Sequence, residues 1–451
     1  MLKITAIGAL LLFSATTLAH AQELKDCTSY GSPDRIILAC SRTIAGQGLR
    51  DEQRAKAFDN RAWAYNAKGD HSRAMADANE AIHLNSKLAT AYFNRGWAFN
   101  GVGDYDAAIA ALNKAVELDP KQYAAYSIRG WSYSAKGNFA RSIEDFSQAI
   151  HLNSKFDTAY SNRAGTYSQM GEFDRAIDDF DKAIGIAESA NRQTVLAYYY
   201  DQRGWTHLAK GDYERAISDF GAAIRLKPNS AYYYANRGWA YNLKGDYDSA
   251  MSAYDRAINI DPNFSEAYSN RADTYNRKGE PDRAIAEAEV AIRLSAANKY
   301  AYETRGRAFL TKGNLDRALA DFNQVLALDP NQLSALAGRG LVHEGKNDRA
   351  GAIQDYQRAI TLSVFRKHEK DEQAAVSKRL TSLLSSKGPT LTHSAWPTIL
   401  VVSLVGLGLV FVLIRRSAHG KASSVAYKEH TAVRDPGPRR IPFNIYIIRS
   451  S

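Results

Sequence analysis

Two residue pairings recur along the chain at fixed spacing, and both suit holding rather than bond-breaking. An amide stands three residues before a tryptophan four times: Asn60 with Trp63, Asn94 with Trp97, Gln202 with Trp205 and Asn236 with Trp239. Three residues apart is one face of a helix, so each pair sets a flat aromatic surface beside a donor and an acceptor. An arginine with an acid sixteen residues later also recurs in one regular series of seven: Arg61 and Asp77, Arg129 and Asp145, Arg163 and Asp179, Arg203 and Asp219, Arg271 and Glu287, Arg305 and Asp321, Arg339 and Asp355. A guanidinium and a carboxylate are the partners of a bidentate ion pair. Motifs that would do chemistry are missing: no P-loop, no G-x-S-x-G, no H-E-x-x-H and no C-x-x-C. The ten His are scattered, with His83 and His151 68 residues apart and His207 and His343 standing where other segments have Tyr. No catalysis, metal site or cofactor is expected.

The arginines carry a larger period. Arg61, Arg95, Arg129, Arg163, Arg203, Arg237, Arg271, Arg305 and Arg339 are 34 residues apart, except for one step of 40 between Arg163 and Arg203. Nine 34-residue units beginning at Ala55, with a six-residue insertion at 191–196, therefore fill residues 55–366. The unit from Ala231 to Phe264 shows the design: Tyr234, Arg237, Gly238 and Tyr241 lie on one face of a first helix, and Ala250, Tyr254, Ala257 and Ile258 on one face of a second. Gly245 ends the first helix and Asp246 caps the next. Eight units have Gly at that turn and the ninth has Asn347, the next-best residue for a left-handed backbone. Pro120, Pro228, Pro262 and Pro330 punctuate unit junctions.

This unit resembles the tetratricopeptide repeat: 34 residues, an aromatic at position 4, a small residue at 8, Ala at 20 and 27, and Pro near the end. The resemblance covers 312 of the 451 residues. It implies an all-α, right-handed superhelical solenoid of about nine helix-turn-helix repeats, with repeats 1–4 in 55–190 and repeats 5–9 in 197–366. The departure is position 7, usually Leu in the family and Arg throughout here, as in the N-R-G style of bacterial envelope proteins. An ion pair within each repeat explains that Arg, with aromatics three before and four after stacked on it. A row of phosphate-binding arginines is rejected because most have a counter-charge at hand; only Arg95 and Arg237 face Ala111 and Ala253. The insertion reads equally as a hinge or as a lengthened helix.

The resemblance also places positions 2, 6, 9 and 13 of the first helix on the concave groove. Trp63, Trp97, Trp131, Trp205 and Trp239 hold position 9, and Asn60, Asn94, Asn162, Gln202, Asn236 and Asn270 hold position 6. This ladder is expected to hold an extended peptide or protein of unknown identity, with an envelope polysaccharide as the alternative ligand. Asp273, Arg307 and Leu341 replace Trp in the last three units, so binding should favour the N-terminal two-thirds.

Both ends read as addresses. Residues 1–21 combine Lys3, an apolar run through Leu10–Phe13 and Ala19-His20-Ala21, the layout of a cleaved signal peptide. Residues 396–414 contain no charge and would rise about 28 Å as a transmembrane helix, stopped by Arg415 and Arg416. The positive-inside tendency then puts the tail, 415–451, in the cytoplasm and the repeats on the periplasmic side of a bacterial cytoplasmic membrane, in a single pass. The tail reads as disordered and suited to anionic lipid. Six of the ten net positive charges lie in that tail, and residues 22–414 net only three, so no nucleic acid is expected. Within 22–54, residues 33–44 resemble a capping half-repeat tied by a disulfide between Cys27 and Cys40, the only two Cys. Within 367–395, residues 372–384 read as an amphipathic capping helix and the rest as linker.

Overall fold

The computed structural model describes Cys27 and residues 31–385 apart from 47, 363 and 365. The expected signal peptide (1–21), transmembrane segment (396–414) and tail (415–451) lie outside the described residues. Among the described residues there are 20 helices and no strand, and no helix is long and apolar enough to cross a membrane.

A cap helix α1 (Pro33–Ala45) precedes nine helix pairs. These are α2 (Asp51–Ala67) with α3 (His71–Leu84), α4 (Ala89–Val102) with α5 (Tyr105–Leu118), and α6 (Tyr123–Ala135) with α7 (Phe139–Leu152). They continue with α8 (Asp157–Gln169) and α9 (Phe173–Ser189), α10 (Gln193–Lys210) and α11 (Tyr213–Leu226), α12 (Ala231–Lys244) and α13 (Tyr247–Ile260). The last three are α14 (Ser265–Arg277) with α15 (Pro281–Leu294), α16 (Lys299–Thr311) with α17 (Leu315–Leu328), and α18 (Leu333–Gly345) with α19 (Arg349–Ile360). A final helix, α20 (Lys367–Ser385), follows.

Each turn between paired helices is made by residues suited to it. Gly211 and Gly245 adopt φ of 91° and 90°, and Asn347 adopts 64° at the same place in the ninth unit. The next residue caps the second helix: the Asp104 carboxylate accepts from the Ala107 amide at 3.0 Å, and Asp246 from Ser249 at 3.2 Å. Small residues then let the two helices close. A Cβ on Gly238 would stand 2.7 Å from Tyr254 Cε1, so only a missing side chain allows that tyrosine to be fully buried.

Successive first helices touch one another, α2 with α4, α4 with α6, α6 with α8, α8 with α10, α12 with α14, α14 with α16 and α16 with α18, whereas second helices show no such packing. The first helices therefore line the inside of the curve. The insertion forms no hinge loop: it lengthens α9 to 17 residues and α10 to 18, joined at Asn191, which has φ 51°. The added surface is buried in a cluster of Ala183, Ile184, Ala187, Val195, Leu196 and Tyr199, and Arg192 pairs with the fully buried Asp157.

At the N-terminal end, Cys27 and Cys40 are disulfide-bonded and buried with Ile36 and Ala57. At the other end, α20 does more than cover α19. Gln373 Nε2 donates to the carbonyls of Ala359, Ile360 and Leu362 at 2.8–3.1 Å, satisfying the end of α19. The helix also touches α18 and reaches back to α10, where Lys367 Cγ lies 3.1 Å from the place a Gly211 Cβ would take. One helix in contact with units 5 and 9 requires the array between them to curve around it.

Candidate functional site

The inner face of the first helices changes character along the array. Trp63, Trp131, Trp205 and Trp239 are half-buried, each with one part packed and one part open. Trp131 meets the Tyr105 ring edge-on at 5.5 Å, and Trp205 meets Phe220 at 5.9 Å. Trp205 and Trp239 both pack against one buried cluster of Leu208, Ala216, Phe220 and Ala240. Trp97 differs: it is 5% exposed, part of a core with Phe93, Leu112 and Ile128.

The amides sit deeper than the indoles. Asn60, Asn94, Asn162 and Asn236 are buried, while Gln202 and Asn270 are half-exposed. Asn94 Nδ2 donates to Asp59 Oδ1 at 2.7 Å and to the Asp59 carbonyl at 3.1 Å. Asn236 Nδ2 donates to Asp201 Oδ1 at 2.7 Å, and Gln202 Nε2 to Asp201 Oδ2 at 3.2 Å. Asp59 and Asp201 hold position 5 of units 1 and 5, so Asn94 and Asn236 each join neighbouring first helices through that carboxylate, while Gln202 bonds it from its own helix. Burial pushes the Asp201 carboxyl up to about 7, against the pull of hydrogen bonds from Asn236 and Gln202. A second row of amides has the same task. At position 12, Asn66 Nδ2 donates to the Asn94 carbonyl at 2.8 Å, Asn100 to Ile128 at 3.2 Å and Asn276 to Thr304 at 2.8 Å. Its signal in the sequence is Asn recurring at that position.

Where Trp gives way to charge, α20 is the reason. Arg307, at position 9 of unit 8, reaches it, and Asp273, at position 9 of unit 7, lies beside Arg307. Arg307 lies 2.9 Å from Glu303, 3.6 Å from Asp273 and 3.6 Å from Glu372 of α20. Burial pushes the Asp273 carboxyl up, but Arg277 and Arg307 hold it below its ordinary value. His368, at the start of α20, is pushed down to about 4 by burial and by Arg366, Arg277 and Arg307. Val376 and Leu380 bury against the last units. The inner face of the C-terminal units is thus covered by the chain itself, and the half-buried tryptophans of the earlier units remain.

The repeat arginines lie apart from this face. Arg61 Nε and Nη2 donate to Asp77 at 2.7 and 2.8 Å, and Arg163 repeats the geometry on Asp179. So do Arg129 on Asp145, Arg203 on Asp219, Arg271 on Glu287, Arg305 on Asp321 and Arg339 on Asp355. The Asp77 hydrogen bonds raise the Arg61 guanidinium above its ordinary value. The third nitrogen reaches the preceding unit: Arg129 Nη1 donates to Asn113, Arg163 to Ser147 and Arg271 to Asp255. Aromatic rings stand beside all of these arginines but Arg339, as Tyr160 and Tyr167 do at 5.9 Å from Arg163. These arginines fasten two units together.

Tetratricopeptide repeat models match residues 89–122, 123–156, 156–229, 202–264, 253–286 and 303–365. Among curated proteins no sequence matches the chain. A tetratricopeptide repeat protein from Parabacteroides merdae is 22% identical, over 56% of this chain and 98% of its own, with a TM-score of 0.49. Yeast Tom70 is 14% identical, over 82% and 96%, at 0.42. YrrB, described as a TPR protein with an unusual peptide-binding site, is 21% identical, over 43% and 96%, at 0.34. With repeat models covering more than half of its length, the chain belongs to the tetratricopeptide repeat family.

Proposed function

We propose that this chain is a membrane-anchored adaptor that holds an extended segment of a partner protein along the first-helix face of units 1–6, without catalysis. Repeats of this family bind protein or peptide partners. The observation that carries the reading is the row of half-buried Trp63, Trp131, Trp205 and Trp239 on an inner face whose other part is covered by α20. Each indole is already fixed by packing on one edge, so binding costs little ordering and the open edge supplies apolar contact. The buried amides keep the spacing of that row by joining successive helices. Residues 396–414 would anchor the array in a bacterial cytoplasmic membrane with the repeats outside. The Cys27–Cys40 bond supports an exported array, because disulfides persist in oxidising compartments.

The test is co-purification of the full-length chain from bacterial membranes beside a Trp63→Ala, Trp131→Ala double variant. Truncating one central aromatic typically costs about 2 kcal/mol, so the double variant should lose its protein partner more than about tenfold at equal expression. Undiminished recovery of the partner would place binding elsewhere, and a bound polysaccharide in place of protein would favour the alternative ligand.

A further inference from the structure

Arg237 lacks the acceptors that the other repeat arginines have, and both are missing at once. Position 23 of its unit, an acid in seven units, is Ala253, which is 3% exposed. Position 25 of the preceding unit, which elsewhere offers Asn113, Ser147, Asp181, Asp255 and Asn323, is Gly221. Arg237 Nε is buried with no acceptor, and its guanidinium lies 5.4 Å from the Tyr234 ring. Positive charge has been added around it. Arg256 stands 5.8 Å from the same ring, and Arg225 Nη1 lies 3.8 Å from where a Gly221 Cβ would be. Asp255, two residues beyond Ala253, is committed to Arg271. Unit 2 also lacks the acid, at Ala111, yet Arg95 keeps Asn79 as an acceptor at 3.3 Å and Lys114 is spent on Glu117.

Unit 3 shows what those register positions enclose. There they line a concavity of about 580 Å³ that includes Arg129, Arg141, Glu144 and Asp145. In unit 6 the last three are Ser249, Ser252 and Ala253, while Ser147 and Gln148 of the same lining become Asp255 and Arg256: both of unit 3's carboxylates are gone, two hydroxyls have come in, and the one acid gained, Asp255, is held by Arg271. A guanidinium edge with parallel N–H donors takes two oxygens of one oxyanion. Two such groups with hydroxyls beside them suit a doubly charged tetrahedral anion better than a single carboxylate.

We propose that the equivalent surface of unit 6, between α12 and α13, binds a phosphate group, free or as a phosphomonoester, through Arg237 and Arg256. The decisive variant is Ala253→Asp, which installs the carboxylate that seven sister units carry and so is compatible with folding. The melting temperature of the full-length chain would be followed in inorganic phosphate, in glycerol phosphate and in chloride at matched ionic strength. The wild type should melt higher in phosphate than in chloride, Ala253→Asp should lose that difference, Ala111→Asp should keep it, and Arg256→Gln should bind about tenfold more weakly. A response to glycerol phosphate as well assigns the site to phosphomonoesters, and a response to inorganic phosphate alone assigns it to the free ion. A wild-type chain that melts alike in all three salts, or an Ala253→Asp variant that responds like the wild type, overturns the proposal.

Discussion

Arg163 holds three helices with one side chain: two nitrogens on Asp179, a third on Ser147 of the unit before, and two tyrosine rings against its plane. Removing it leaves the buried Asp179 carboxylate unpaired, so Arg163→Ala should lower stability by about 3 to 5 kcal/mol in urea unfolding. Arg237→Ala strands no carboxylate and should cost less than half as much in the same measurement. The Arg–acid spacing was legible in the sequence because a helix-turn-helix of fixed length puts residues sixteen apart side by side. The backward contact was not, since its acceptors alternate among Asn, Ser and Asp and leave no charge pattern. Burial was equally hidden. Nothing in the residue names separates Trp97, sunk in the core, from Trp131, half open, and nothing marks Asp201 as a carboxylate whose value rises from 3.8 to about 7. A raised carboxylate means that the folded state holds its proton more tightly than the unfolded one. The stability that Asp201 contributes is therefore full below about pH 4, falls as pH rises toward about 7 and is level above. Urea midpoints should drop over that range, and Asp201→Asn should flatten this part of the profile while raising the midpoint at pH 8.

The helices themselves were readable because each signal is local: Gly or Asn in a left-handed turn, Asp or Asn as the following cap, and Ala where helices meet. The sequence left the insertion open between a hinge and a lengthened helix, and burial of Val195 and Leu196 decides for the second. The path of α20 escaped the sequence for a different reason. Its helical period was visible, but its docking rests on Arg307 and Asp273, which stand where earlier units have Trp and signal only that something has changed. Leu380→Asp should release α20. Hydrogen exchange would then speed up in α16 to α19 and stay unchanged in α2 to α7, because a solenoid couples mainly nearest neighbours. At the other end, Cys40→Ser removes the disulfide that ties Cys27 to α1. It should cost about 3 kcal/mol by loop entropy, seen as faster exchange in α1 and α2 alone.

For the molecule as a whole, stacking nine units makes a long surface whose two parts differ. The C-terminal units are filled by α20 on their inner face, and the earlier units keep aromatic edges open there. A ligand that reads several units at once gains affinity from their fixed spacing, which the Arg and Asn contacts between units maintain. On the proposed topology the Cys27–Cys40 pair should resist thiol labelling in intact cells until reductant is added, whereas free labelling would return the array to a reducing compartment. The most direct test of the adaptor reading is photo-crosslinking in cells from single positions of the full-length chain. Trp63 and Trp131 would probe the inner face, and Leu294 and Leu328, 38% and 40% exposed on second helices, the outer one. The account predicts that Trp63 and Trp131 both crosslink to one and the same protein while Leu294 and Leu328 give no such adduct. Adducts confined to the outer positions, or formed equally from all four, would contradict it.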